Sequence, residues 1–318
     1  MSNFQFRPAI RENVGLLIGL AGASGSGKTY TAMRLATGIS GGKPFAVIDT
    51  EAGRAKHYAD AFKFDHGDLH APFSPDAYAE AITAADKAGY PVIVVDSMSH
   101  SWAGEGGVLD MQEKELDRMA GDDWKKREAV KMAAWIKPKG NHKQMVQRLL
   151  RTKAHLILCF RAEEKTKIEK DAQGKTHIIP MGFQPVCSKE LPYELTVSFL
   201  LSSDSPGIGQ PIKLQEQHKA IFPAGKLLDE LSGKSCAEWA AGGILKQPTT
   251  AMAPEPTEAD IIKGLKKQLS DRMEGYTTAQ KKAFFAHAMD GKPETVDALQ
   301  AFLDDYEGKK TAFLAQAS

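Results

Sequence analysis

Cysteine is scarce, and its pattern is uninformative for metal or disulfide. Cys159, Cys187 and Cys236 are odd in number and far apart, with neither C-x-x-C spacing nor a neighbouring histidine cluster, which argues against a disulfide framework or a structural zinc. Long apolar runs are missing as well. No stretch approaches the roughly 18 apolar residues a membrane helix needs, and Met1 to Arg11 lacks the apolar core of a leader, so a cytoplasmic location without a membrane partner is expected. Nor is there an excess of either charge. Lys plus Arg number 41 against 40 for Asp plus Glu, so the overall balance neither predicts nor excludes a nucleic-acid partner and only local charge can be informative. No internal repeat is evident. What the chain does have is length and apolar content: 318 residues, 42% hydrophobic, suffice for one large domain and a small appendage.

Four short runs rich in β-branched residues, Gly15 to Leu20, Pro44 to Ile48, Val92 to Val95 and His155 to Phe160, read as strands buried on both faces of a parallel sheet. Helical spacing at Thr29 to Thr37, Pro75 to Ala88 and Glu105 to Thr152 alternates with them, which predicts a doubly wound α/β architecture, a mostly parallel sheet flanked by helices. The third helical segment divides into two helices if Lys137-Pro138-Lys139-Gly140 breaks it and Asn141 caps the second. Arg161 to Lys189 is polar and carries Gly174, Pro180, Gly182 and Pro185, the composition of a long mobile loop or a loose hairpin. Short strands at Tyr193 to Leu201 and Pro211 to Gln217 complete the expected sheet, so that residues 1–245 form the core. Residues 246–260, with Pro248, Pro254 and Pro256, have linker composition. Beyond them, 261–318 reads as a small domain of three short helices: Ile261, Leu265, Leu269 and Met273 share a face, Thr277 and Gln280 make a capping-box pattern, and Pro293 marks a third helix start.

The most specific motif is Gly22-Ala23-Ser24-Gly25-Ser26-Gly27-Lys28-Thr29, a complete G-x-x-x-x-G-K-[ST] set between a buried strand and a helix. Its glycines let successive backbone N–H groups and the helix N-terminus face phosphate oxygens. Lys28 supplies charge for the β and γ phosphates, Thr29 a hydroxyl for Mg²⁺, and Tyr30 joins them as a candidate nucleotide contact, so ATP and Mg²⁺ are the expected cofactors. Val92-Ile93-Val94-Val95-Asp96 is an apolar strand ending in a carboxylate suited to the Mg²⁺ shell. Ser97 follows, so the tandem acidic pair that could serve hydrolysis is lacking there. Phe45-Ala46-Val47-Ile48-Asp49-Thr50-Glu51 ends at the same sheet edge and offers Glu51 as a general base acting through a water. Turn capping is the alternative for both acids and the preferred one for Asp49. His100 and Trp102 read as a packed loop more than as a nucleotide edge, and Trp124, Trp135 and Trp239 as core or helix contacts.

Local charge departs from the overall balance in one notable stretch before the strand at His155. Between Lys137 and Lys153 lie Lys137, Lys139, Lys143, Arg148, Arg151 and Lys153, with His142 and no carboxylate, a surface suited to tracking phosphates. A solvated outer helix face with Met145, Val146, Leu149 and Leu150 packed inward is the other reading, and the two are compatible. Phe183 and Tyr193 could stack on bases, although single aromatics are more often core.

In order and approximate spacing, Gly22 to Thr29, Ala46 to Glu51 and Val92 to Ser97 resemble RecA-like recombination ATPases, above all the phage-encoded ones linked to single-strand annealing and recombination. Trp135-Ile136-Lys137-Pro138-Lys139 and the strand running into Arg161 fit the same likeness, which spans Val14 to Phe222 and does not reach the C-terminal helices. The resemblance implies MgATP binding by Lys28 and Thr29, metal ordering by Asp96, water activation by Glu51, and a γ-phosphate sensor at Arg161 coupled to a DNA-binding loop. It implies single-stranded DNA as the partner and a homo-oligomer with ATP at the subunit interface, where Lys213 or Lys219 would reach a neighbour's nucleotide. A single-strand-binding protein is a candidate partner, and the bacterial host cytoplasm the expected location. There are departures. The core is shorter than in bacterial recombinases, no N-terminal polymerisation segment is evident, and Arg161, Lys165, Lys167, Lys170 and Lys175 are mixed with four acidic residues, so annealing is the expectation ahead of strand exchange. A P-loop nucleotide kinase and a non-catalytic, ATP-dependent loader remain the alternatives.

Overall fold

The β-branched runs are too apolar to face water on either side, and they assemble into the centre of one sheet in the computed structural model, which describes residues 15–171, 176–242 and 258–316. The chain divides into two compact units, Met1–Leu245 and Lys246–Ser318. In the first, β1 (Leu17–Gly22), α1 (Lys28–Ile39), β2 (Phe45–Asp49), β3 (Phe64–Asp68), α2 (Pro75–Lys87) and β4 (Val92–Asp96) lead into four helices, α3 (His100–Ala103), α4 (Val108–Ala120), α5 (Trp124–Val130) and α6 (Ile136–Leu149). Then follow β5 (His155–Lys170), β6 (Thr176–Pro185), α7 (Leu191–Glu194), β7 (Val197–Leu201), β8 (Gly209–Lys213) and α8 (Glu230–Ala240).

The sheet runs β3-β2-β4-β5-β1-β7-β8. All neighbours are parallel except β7 and β8, and β6 pairs antiparallel with the outer half of β5. One face buries Ile18, Leu20, Val92 and Ile157 against α1 and α8; the other buries Leu17, Ile93 and Leu156 against α2 and α6. Each fully buried Leu, Ile or Val contributes about 1.5–3 kcal/mol. A Cβ on Gly38 would lie 2.0 Å from Glu230 O and one on Gly233 would lie 2.3 Å from Leu35 O, so α1 and α8 touch backbone to backbone at these two glycines. The Arg34–Glu230 ion pair closes the same crossing.

Several expectations are corrected. The helical region before β5 breaks at Gly121, with φ 56°, and at Asp123, whose side chain accepts from Lys125 N and Lys126 N. Lys137-Pro138-Lys139-Gly140 is not a break: Pro138 occupies the first turn of α6, where backbone N–H groups have no partner within the helix, so its missing donor costs nothing and Asn141 is interior. Leu150 is exposed instead of packed inward. Of the two readings of Arg161 to Lys189 the hairpin holds and the long loop does not: most of it is the paired β5–β6 ribbon, while its Gly174 and Lys175 lie outside the described residues. Tyr193 belongs to α7 and is exposed; β3, polar and half-exposed, has no counterpart among the expected strands.

Among its described residues the second unit holds four helices, not three: α9 (Glu258–Arg272), α10 (Thr278–Met289), α11 (Val296–Asp304) and α12 (Tyr306–Gln316). Leu265, Leu269, Met273, Phe284, Leu299 and Phe302 form its core, whereas Ile261 is exposed. The Thr277–Gln280 capping box forms at the start of α10. No breaker separates α11 from α12, which hid the fourth helix. Of the expected linker, 246–257 lies outside the described residues and 258–260 is helical. Among the described residues no helix is long and apolar enough to cross a membrane.

Candidate functional site

Strands β2, β4, β5 and β1 are consecutive in the sheet, so the loops leaving their carboxyl ends share one crevice, the usual ligand position in an open α/β sheet. The loop after β1 needs its glycines. A Cβ on Gly22 would meet Ser26 Oγ at 2.3 Å and Leu201 O at 2.7 Å, and Gly27, which precedes α1, has φ 82°. Ser26 is buried and donates to Ala23 O at 2.8 Å, pinning the loop from beneath. Lys28 Nζ curls back to donate to Gly22 O at 2.9 Å and Ala23 O at 2.8 Å. Burial holds the Lys28 ammonium below the ordinary lysine range, opposed in part by Asp96 and Glu51.

Thr29 Oγ1 donates to Asp96 Oδ2 at 2.5 Å, joining the first turn of α1 to the end of β4. Asp96 is buried, and burial raises its pKa despite that hydrogen bond. Its register partner on β5 is Cys159, whose thiol is pushed up by burial and stays neutral beside it. Glu51 sits past β2 with its two oxygens divided: Oε2 accepts from Arg54 Nη1 at 2.8 Å, and Oε1 from Arg161 Nη2 at 2.9 Å and Nε at 3.2 Å. Asp49 is turned away, accepting from Glu51 N at 2.6 Å and Ala55 N at 2.8 Å, so it organises the turn that presents Glu51. The resulting cavity is about 590 Å³ and is bordered by Lys28, Thr29, Glu51, Asp96 and Arg161 together with the glycine loop.

A protein-family model described as an AAA domain matches residues 15–218, more than half of the chain and the segment that builds this cavity. The chain belongs to that family. Membership carries nucleotide binding and NTPase-type chemistry, typically with Mg²⁺, on a P-loop core. No curated protein matches the sequence.

Within the AAA domain, the remaining candidates fall in different places. Gly22, Ala23, Ser24, Gly25 and Gly27 border the cavity, whereas Tyr30 packs its ring against Tyr58 and Phe62 and lies outside the lining. Arg54, Tyr58 and Glu163 border it and were not singled out from the sequence; Gly53-Arg54, immediately after the Glu51 turn, was the available signal. His100 bonds Thr50 Oγ1 at 2.8 Å and stacks on Phe73, and Trp102 stacks on Trp135, so both are packing residues. Lys213 is spent internally, its Nζ donating to Tyr193 O and Leu195 O, while Lys219 pairs with Glu216.

The α6 candidates do not form one patch. At about 3.6 residues per turn, Lys139 and Lys143 lie on one flank of the exposed arc and Lys137 and Arg148 on the other, with Arg151 continuing that second flank in the turn just past the helix. Lys137 pairs with Glu115, and Lys139 rests over the Trp135 ring. His142 is no part of the positive surface: it is buried, bonds Ser188 Oγ at 2.8 Å, and burial favours its neutral form.

Proposed function

We propose that the protein binds ATP with Mg²⁺ in this cavity, hydrolyses it, and acts on single-stranded DNA in recombination or annealing of the phage RecA-like kind. The observation that carries the proposal is the meeting of Lys28, Thr29, Asp96 and Glu51, drawn from three separate strand ends, around one cavity. Thr29 Oγ1 gives its hydrogen to Asp96 Oδ2, which leaves the hydroxyl lone pairs for Mg²⁺, and the other Asp96 oxygen would reach the ion directly or through a water, a hard-oxygen set that fits Mg²⁺. Among the described residues no cluster of three or more His, Cys, Asp or Glu could hold a metal alone, so phosphate and water would complete the shell. Bound Mg²⁺ supplies charge neutralisation on the β and γ phosphates.

The chain's own residues do the rest. Loop N–H groups and Lys28 orient the phosphates, the Lys28 protons exchanging from Gly22 O and Ala23 O to phosphate oxygen. Glu51 accepts the proton of the attacking water once an oxygen is released by Arg54 or Arg161. Arg161, freed from Glu51, would sense the γ-phosphate, and because it stands at the root of the β5–β6 hairpin its movement would reach any DNA held there. One exposed flank with Arg148 and Arg151, together with Lys165 and Lys167 of the hairpin, would supply the phosphate-tracking surface.

Phosphate release measured with and without single-stranded DNA, across a salt series, tests the proposal. Turnover without any acceptor, raised by DNA, with stimulation falling as salt rises, is the expected result. Transfer only to an added nucleotide acceptor would make the protein a kinase. Binding without turnover would make it a loader.

A further inference from the structure

The second unit carries a groove of about 680 Å³ between α9 and α10, closed at one end by the turn before α11. Its floor is apolar and formed by Leu269, Met273 and Met289, all buried, with Phe285 on the wall. Its rim is cationic: Lys266, Lys281, Lys282 and Lys292 border it against a single carboxylate, Glu294, which is engaged by Lys266. In a chain with 41 basic and 40 acidic residues such a rim is a local excess. Lys281 Nζ is spent on Ser270 O, and among the described residues neither Lys282 nor Lys292 has an ion-pair partner.

We infer that this groove is a docking site for an acidic amphipathic segment of a protein partner, its apolar side chains on the methionine floor and its carboxylates against Lys282 and Lys292. Two features select this occupant. A buried thioether and aliphatic floor gains from covering apolar side chains, adapts to their shape, and offers nothing to a phosphodiester. The rim repels basic segments and complements acidic ones. Nucleic acid would be drawn to the lysines, but the lining has no tryptophan, tyrosine or histidine on which bases could stack, and only Phe285 among aromatics.

The test uses the full chain and a fluorescein-labelled amphipathic helix of glutamate and leucine, read by polarisation, with polyglutamate and a labelled single-stranded oligonucleotide as controls. The glutamate–leucine helix is expected to bind and polyglutamate to bind far more weakly. Reversal of the exposed rim, Lys282→Glu with Lys292→Glu, should weaken peptide binding about tenfold or more. Ala286→Arg fills the groove from an exposed helix position and adds positive charge, so a groove-bound peptide is lost whereas a ligand held by charge alone is gained. Phosphate release from ATP, which belongs to the other unit, should be unchanged in both variants. The inference is overturned if the peptide does not bind, if polyglutamate binds equally, if Ala286→Arg strengthens binding, or if the oligonucleotide displaces the peptide and depends on the same lysines.

Discussion

The charges at the carboxyl ends of β1, β2 and β4 and those along α6 are of the same chemical kinds, but their surroundings give them unequal weight. Lys28 is half-buried and Asp96 buried, each is pushed toward its neutral form, and each is held by hydrogen bonds of 2.5–2.9 Å. Lys143, Arg148 and Arg151 stand in solvent, where water and salt screen them. A few desolvated charges with fixed partners act as single points of failure, whereas several solvated ones act as a sum in which each member is dispensable.

The largest effect is therefore expected from Lys28→Ala, which should bring ATP turnover to background in a phosphate-release assay; retained activity would place phosphate elsewhere and dissolve the contrast. Glu51→Gln comes next. It keeps the shape and one acceptor oxygen, so a fluorescent ATP analogue should still bind while kcat falls about 10²-fold or more, the loss expected for a general base. Unchanged turnover would move the base to another residue, with Glu163 the first to examine because it borders the same cavity.

Asp96→Asn sharpens the comparison from the stability side. Burial raises the Asp96 pKa, so between the unfolded and folded values the native chain binds more protons than the unfolded one, and stability falls as pH rises through that window. The cost of the charged form is fully present above the folded value. A neutral amide that still accepts from Thr29 avoids that cost, so Asp96→Asn should raise Tm at neutral pH by about 2 °C or more while turnover drops. The Tm gain should shrink as pH is lowered through the Asp96 titration. An unchanged or lower Tm at neutral pH would show that Lys28 and Thr29 repay the burial of the carboxylate in full.

Legibility in the sequence follows the same division. Gly22 to Thr29 is contiguous, and Val92 to Asp96 sits between two other strands with all five residues buried, so local pattern and tertiary role coincide. β3 reads Phe-Asp-His-Gly-Asp because it is the outermost strand and half-exposed, which leaves no alternation to find. β6 carries Ile178, Ile179, Met181 and Phe183 in the open on a ribbon outside the main sheet, so its apolar residues mark no core. Pro138 misled because its meaning depends on position within the helix: in the first turn it breaks nothing, and Gly140 just beyond that turn weakens a helix by only about 1 kcal/mol without ending it. Arg54 and Arg161 meet on Glu51 from 3 and 110 residues away, and the longer of these separations exists only after the sheet has closed.

The smallest effects are expected along α6. Arg148 and Arg151 share a flank and have no carboxylate partner among the described residues, unlike Lys137 beside Glu115. Replacing both by Gln removes two solvated charges and leaves the inward Met145, Val146 and Leu149 untouched, so Tm should hold and basal ATP turnover should not change. If DNA phosphates follow this flank, each lost contact should reduce the slope of log affinity against log salt by about 1, with affinity falling a few-fold at physiological salt. Lys139→Gln with Lys143→Gln, on the opposite flank, should then leave the slope nearly intact. Equal losses from both pairs would mean that the whole outer arc attracts DNA diffusely, and no loss from either would reduce α6 to the solvated cover of the sheet.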